Sequence, residues 1–305
     1  MVTLDKIKIK APIDCVEESG IRSFNLKHPY LVEVGTSTKF RNWIFITFTS
    51  KILLDDYPDL INRDNIRMCL EKVKEISNIN FNIDRVMSEG VITSCDFTVD
   101  VPITRLEGLN GDLKKLKTLL PLCNKNNREY PCSAYKNGSI SVQRAVSSPK
   151  SKFRLTIYDK PYELRRRCNN DFRSCLQNEE AVMNHFVGKV RIEINATTAV
   201  QIKRWLNIAD TSIMTVLNAT ENPIKNAIEE VFEPINVSDL RITQTIQEKI
   251  SVLKYYNWDM VAVEANVREH EGNNWGRKMP KYRELNLQFN PELNQIRQVN
   301  IANWV

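Results

Sequence analysis

KFRLTIYDK, residues 152–160, carries the alternation that decides the fold. Successive side chains of a strand point to opposite faces. Phe153, Leu155 and Ile157 therefore share one side, and Arg154, Thr156, Tyr158 and Lys160 share the other. Two other stretches repeat the pattern. In VITSCDFTVDVPI (91–103), Cys95, Phe97, Val99 and Val101 oppose Asp96, Thr98 and Asp100, and Pro102 ends the strand. In VRIEINA (190–196), Val190, Ile192 and Ile194 oppose Arg191, Glu193 and Asn195. Strand by strand, this is the inside-out alternation of any half-exposed sheet. If the three share one sheet with apolar sides aligned, the other face gathers two aspartates, a glutamate, a tyrosine, a lysine and two arginines.

Around these strands the pattern predicts an α+β fold: a central, largely antiparallel sheet with helices packed on one face, followed by a smaller helical region. RNWIFITFTSKILL (41–54) reads as a strand turning at Ser50. NIRMCLEKVKEISNI (65–79) has apolar residues at helical spacing, and DLKKLKTLL (112–120) reads as a short helix with a lysine face. Residues 121–150 read as loops around a hairpin, with KNG (136–138) as its turn, and about 163–185 as a polar helical stretch. TAVQIKRWLNI (198–208), PIKNAIEEVF (223–232) and DLRITQTIQEKISVLKYYN (239–257) read as helices. The expected division is an α/β portion over 1–200 and a mainly helical portion over 201–305, which either binds DNA or braces the sheet.

The bulk composition narrows the function. The chain has 305 residues with a net charge of +6, which permits a nucleic-acid partner without requiring one. No Gly-rich phosphate loop is present, so nucleotide-driven chemistry has no support. Seven scattered cysteines without a C-x-x-C pair predict a reducing cytoplasm. Cys168, Cys175 and His185 fit no common zinc spacing and read as thiols packed on helices. No apolar stretch is long enough to span a membrane, so none is expected as a partner.

The polar face has the residue types of a divalent-metal nuclease. Mg²⁺ or Mn²⁺ needs only one or two carboxylates besides phosphate and water. A tyrosine can attack the activated phosphate in line. The phenol is a weak nucleophile at its free pKa near ~10, so Lys160 is expected to help it ionise. Lys150, Lys152, Arg154, Arg165, Arg166, Arg167 and Arg191 supply cations for a phosphodiester backbone, although three consecutive arginines also suit a solvated helix face. Tyr162 reads as a packing ring, with a part in strand rejoining as its alternative; Tyr255, Tyr256 and Trp258 also read as packing, with base stacking as the sharper alternative.

LTIYDKPYEL (155–164), followed by VRIEINA and preceded by TSCDFTVD (93–100), resembles the rolling-circle replication initiators of filamentous phages, the gene-two endonuclease group. It is more loosely similar to the trans-acting initiators of rolling-circle plasmids. FITFTSKILLDDYPDLINRDN (45–65) resembles the family's segment upstream, so the likeness covers most of residues 40–200. The resemblance implies a metal-dependent nickase that cuts one origin strand through a 5′-phosphotyrosine and later rejoins it. It makes Tyr158 the nucleophile, Lys160 its lysine, and Asp96 and Glu193 metal-site acids. Glu163 matches a trailing acid with a metal, base or structural role. It also implies origin DNA, host helicase and host polymerase as partners in a bacterial cytoplasm, and leaves a homodimer open. His28, His185 and His270 lie far apart, which disfavours histidine-pair relaxases and tyrosine recombinases. The competing reading is a non-catalytic DNA-binding replication or regulatory protein of the same fold.

Overall fold

The structure, a computed structural model, describes residues 1–17, 23–37, 40–136, 138–145, 153–234, 244–293 and 299–305. Lys150 and Lys152, Asn137 of the KNG turn, and residues 239–243 of the last expected helix lie outside the described residues.

The described strands are β1 (Leu4–Pro12), β2 (Phe24–Leu26), β3 (Val32–Ser37), β4 (Phe40–Thr49), β5 (Val91–Pro102), β6 (Cys132–Ala134), β7 (Ile140–Gln143), β8 (Arg154–Asp159) and β9 (Lys189–Ala196). They form one sheet in the order β2-β3-β4-β1-β5-β9-β8-β7-β6, and every neighbouring pair is antiparallel. The expected α+β architecture holds. β5, β9 and β8 are consecutive, so their apolar alternations do align.

Register places the polar residues. Tyr158 lies opposite Arg191, which lies opposite Asp100. One pair along, Thr156, Glu193 and Thr98 share a row, and beyond it Asp96 faces Asn195. The sequence reading missed β1, an inner strand between β4 and β5. Its Leu4, Ile7, Ile9 and Ala11 are buried, and Lys6, Lys8 and Lys10 take the other face. Leu4 pairs with Phe97 and Lys6 with Asp96, so Asp5 is the extra residue of a β-bulge. Such a bulge re-aims a side chain. Here it turns Asp5 onto the face that carries Arg191.

The helices are α1 (Ile66–Ser77), α2 (Ile83–Glu89), α3 (Leu116–Cys123), α4 (Lys160–Leu164), α5 (Asn170–Arg173), α6 (Glu179–His185), α7 (Ala199–Leu206), α8 (Ile213–Leu217), α9 (Pro223–Val231), α10 (Gln244–Tyr255), α11 (Met260–Glu271) and α12 (Trp275–Phe289). Local chemistry starts several of them. Asn222 caps α9 through the N–H groups of Ile224 and Lys225, with Pro223 in the first turn. The expected polar helix over 163–185 is instead three short pieces, α4 to α6, separated by a 3₁₀ turn over Arg167–Asn169 and a fresh cap at Asn178.

The main core lies on one face of the sheet, where α1, α2, α7, α8 and α9 pack. Phe97 and Phe153 meet the buried Trp205 edge-on, with ring centroids 6.5 and 6.2 Å away. The same cluster takes in residues of α10 to α12 and the fully buried Trp304, so sheet and C-terminal helices share one interior. A second, smaller cluster of Tyr57, Leu164, Phe172, Val182 and Phe186 covers one end of the opposite face. It belongs to α4, α5, α6 and the 3₁₀ segment Ser50–Asp59. Among the described residues no helix is long and apolar enough to cross a membrane. Cys168 and Cys175 are exposed, which corrects the packed-thiol reading. Tyr255 is exposed too, so only Tyr256 and Trp258 of that aromatic group rest on the core.

Candidate active site

Tyr158 is delivered by the end of β8. Asp159, next in line, caps α4 by accepting a hydrogen bond from the Tyr162 N–H at 2.9 Å. Its carboxylate therefore serves the helix start and does not face the phenol. The cap also fixes where Lys160 and Glu163 stand. The Tyr158 hydroxyl donates to Glu193 Oε1 at 2.6 Å and accepts from Lys160 Nζ at 3.3 Å. Lys160 is buried and pairs with Glu163 Oε2 at 2.8 Å. Glu163 Oε1 accepts from Asn169 Nδ2 at 2.8 Å, and Asn169 Oδ1 accepts from Lys51 Nζ at 2.6 Å. Four of the five expected catalytic and metal-site residues thus form one chain of contacts: Tyr158, Lys160, Glu163 and Glu193.

Beneath this chain lies a buried cation. Arg191 has no exposed surface. Its Nε and Nη2 bond to the two oxygens of Asp100 at 2.8 and 2.7 Å. Its Nη1 donates to Asp5 Oδ1 at 3.0 Å and to the Tyr57 hydroxyl at 2.8 Å. The rings of Tyr57 and Phe186 lie 5.1 and 5.3 Å from the guanidinium carbon. The expectation that Arg191 contacts DNA is corrected: it is enclosed by the second apolar cluster and its donors are spent inside the fold. Sequence reasoning missed Asp5, Tyr57 and Asn169 altogether, and saw Asp100 only as one of the polar row.

Burial, first, and the Glu193 anion, second, keep the Tyr158 phenol well above its ordinary value. Nearby Arg191 opposes them without winning. The Tyr158 hydroxyl is therefore a neutral phenol, and the expected ionisation by Lys160 alone is not what the surroundings favour. Burial, and then Asp5, push the Glu193 carboxyl up to about 7. Burial would also raise Asp5, but Arg191 and then Lys160 outweigh it and hold Asp5 below its ordinary value.

Asp96 stands apart from the phenol, beyond the Glu193 row. It accepts a hydrogen bond from Asn195 Nδ2, and burial pushes it up to about 6. Asp96 and Glu193 are diagonal neighbours on one face of adjacent strands, a separation across which long side chains interact. Among the described residues neither is in a salt bridge. Both carboxyls stay costly to ionise although cations stand near them, Lys160 and Arg191 for Glu193 and Lys6 and Arg154 for Asp96; carboxylate oxygens are the donor type that Mg²⁺ or Mn²⁺ takes. Glu163 does not fit that role, because Lys160 already neutralises it and Asn169 takes its other oxygen. The three acids do not converge as a trio. Among the described residues the group of acidic and thiol ligand atoms within 4.8 Å of one another is Asp14, Cys15 and Glu89, past the far end of β1.

A cleft of ≈ 460 Å³ opens over Tyr158, lined by Tyr135, Lys136, Ser139, Arg154, Thr156, Tyr162, Glu163 and Arg166. Arg154, Arg165, Arg166 and Arg167 are all exposed, and among the described residues none is in a salt bridge. Arg154 and Arg166 line the cleft; Arg165 and Arg167 do not. Tyr162 is 53 % exposed and lines it too, so the packing expectation for that ring is corrected.

Glu193 gives a test of these surroundings. Its carboxyl rises from an ordinary 4.5 to about 7, so between those limits the folded state holds a proton that the unfolded chain releases. The stability this contributes is present below about pH 4.5 and lost as pH rises through 7. Glu193→Gln does not ionise. Its melting temperature is expected to gain on the parent by roughly 2–4 °C between pH 5 and pH 8. A difference that is flat with pH would place Glu193 in solvent.

Comparison of the chain with family models, curated proteins and solved structures finds no match.

Proposed function

We propose that this protein is a rolling-circle DNA replication initiator, a metal-dependent nickase and strand-transferase that uses Tyr158 as nucleophile. The observation that carries this reading is the Tyr158 hydroxyl held between Glu193 at 2.6 Å and Lys160 at 3.3 Å, at the floor of an open, cation-rimmed cleft. A structural tyrosine satisfies its hydroxyl as well, but it has no need of a lysine and an acid with a raised pKa in a cleft. The resemblance of the three strands to the gene-two endonuclease group supports the same assignment.

In this reading the Tyr158 oxygen forms a bond to a phosphorus of one origin strand while its proton passes to Glu193 Oε1. The bond from phosphorus to the 3′-oxygen breaks, and that oxygen leaves as a 3′-hydroxyl after taking a proton from water. Lys160 stabilises the negative charge that develops on the phenol oxygen and on the phosphate. Asp96 and Glu193 would hold a divalent cation, which lowers the charge on the scissile phosphate. Reversal by the 3′-hydroxyl of the displaced strand rejoins it and regenerates the phenol. Arg154 and Arg166 would position the backbone, and the protein would work on origin DNA beside the host helicase and polymerase.

The test is supercoiled origin-bearing DNA incubated with the protein and Mn²⁺ or Mg²⁺. Nicked circles and a protein–DNA adduct stable to denaturation are expected. Because Glu193 must be an anion to take the proton, the nicking rate should rise with pH through the Glu193 titration and then level off, and a cation held by Glu193 would move that titration to lower pH. Asp96→Ala should weaken metal-dependent cutting; full activity in that variant would move the metal elsewhere. Retention of binding with no cutting and no adduct would favour the non-catalytic DNA-binding protein.

A further inference from the structure

We infer that the cleft over Tyr158 is a single-stranded DNA site in which Tyr135 and Tyr162 stack on unpaired bases while Lys136, Arg154 and Arg166 hold the phosphates. The inference rests on the proposed function for its choice of DNA, and adds how the substrate is held. Its starting point is a cost. Exposed tyrosine rings forgo burial, and among the described residues only Tyr135, Tyr162 and Tyr255 are exposed, at 52, 53 and 80 %. Two of these three line the same cleft.

The two rings come from different elements that meet at one end of β8. Ile140 pairs with Ile157, so the β6–β7 turn that carries Tyr135 borders the Tyr158 end of β8. Tyr162 stands on α4, which leaves the same end of that strand. Both backbones are held in advance. The Tyr135 N–H donates to Ser139 O at 2.8 Å, and its carbonyl accepts from the Gly138 N–H at 3.0 Å. Gly138 has φ +86°, and a Cβ there would meet Lys114 N at 3.1 Å, so the turn is seated against Leu113–Lys115. The Asp159 cap fixes Tyr162. Little ordering is left for binding to supply.

Charge selects the ligand. Lys136, Arg154 and Arg166 line the cleft against one acid, Glu163, which Lys160 already neutralises. Aromatic faces interleaved with cations suit stacked bases on a phosphate chain. A duplex would not use the rings, because its bases stack on one another. The cleft volume of ≈ 460 Å³ is that of a small-ligand pocket and admits one or two nucleotides, not a helix. A strand so seated presents its backbone to the Tyr158 hydroxyl.

Fluorescence anisotropy with the full chain tests this on a labelled oligodeoxythymidylate and on an all-abasic oligomer of equal length. Tyr135→Ala and Tyr162→Ala should each weaken oligodeoxythymidylate binding by roughly tenfold. Tyr162→Phe and Tyr135→Trp should restore it, and neither alanine variant should change binding to the abasic oligomer. Arg154→Ala should weaken both oligomers alike. Unchanged affinity in both alanine variants, or equal losses on the abasic oligomer, would overturn the inference. The assay needs no cutting. If Tyr-dependent binding holds but no adduct forms, the nickase reading falls and the stacking site stands. If adducts form and the alanine variants bind as the parent does, the stacking site falls alone.

Discussion

Tyr158→Phe should abolish the covalent protein–DNA adduct while leaving DNA affinity within about twofold. The phenyl ring fills the same space, so the change removes one oxygen and the proton it donates to Glu193 Oε1. Loss of that hydrogen bond costs about 1 kcal/mol, too little to unfold a chain of this size. Chemistry has no such margin. Without the oxygen no tyrosyl–phosphate bond can form, and the loss should be complete rather than a fixed fraction. The neighbouring Tyr162 is the control. It lines the same cleft, but its ring leaves with α4 and its hydroxyl has no acid or lysine partner among the described residues. Tyr162→Phe should form the adduct at a near-normal rate. Lys160→Gln should form it slowly, because the charge developing on the phenol oxygen loses its nearest cation. An adduct that survives Tyr158→Phe would remove that residue as nucleophile whatever else the protein does.

What the chain reveals before folding, and what it withholds, follows from the period of each signal. The alternation of β5, β8 and β9 is a two-residue pattern with a fixed physical meaning, so it placed Asp96, Tyr158 and Glu193 on one face. It could not place Arg191 correctly. Alternation says that a residue leaves the main core, not whether water or a second apolar layer awaits it on the other side. Phe172 and Phe186, from the short helices, supply that layer, and their run between 160 and 188 has no clean periodicity. The same gap hides Tyr57, which follows a residue of positive φ, Leu54, in an irregular 3₁₀ segment.

Asp5 was legible in part. Ile7, Ile9 and Ala11 are two apart, but Leu4 and Ile7 are three apart, and all four are buried. A step of three inside an alternating strand is the mark of a bulge. Tyr162 failed for a different reason. Aromatic rings are usually buried, and nothing in the local sequence distinguishes a ring that lines a cleft from one that packs.

Arg191→Met should lower stability by about 3–5 kcal/mol, because it strands the carboxylates of Asp100 and Asp5 inside the fold. For a chain of this length that is a fall in melting temperature of roughly 5–8 °C. The fall should be largest near neutral pH, where Arg191 stabilises the Asp5 anion, and should shrink as pH drops and Asp5 takes up a proton. Arg191→Met with Asp100→Leu should recover part of the loss, since a buried ion pair replaced by apolar groups of similar volume is often near neutral. Asp5 would remain unpaired by Arg191 in that double variant, so recovery should be incomplete. The same substitutions decide between the sequence expectation and the folded arrangement. A DNA-facing arginine would release counterions on binding, and its loss would lower the salt dependence of affinity by about one unit of slope without touching stability. A buried arginine should do the reverse: unchanged salt slope in the protein that remains folded, and a steep loss of thermal stability. Arg154→Ala, at an exposed cation on the cleft rim, should show the first pattern beside it.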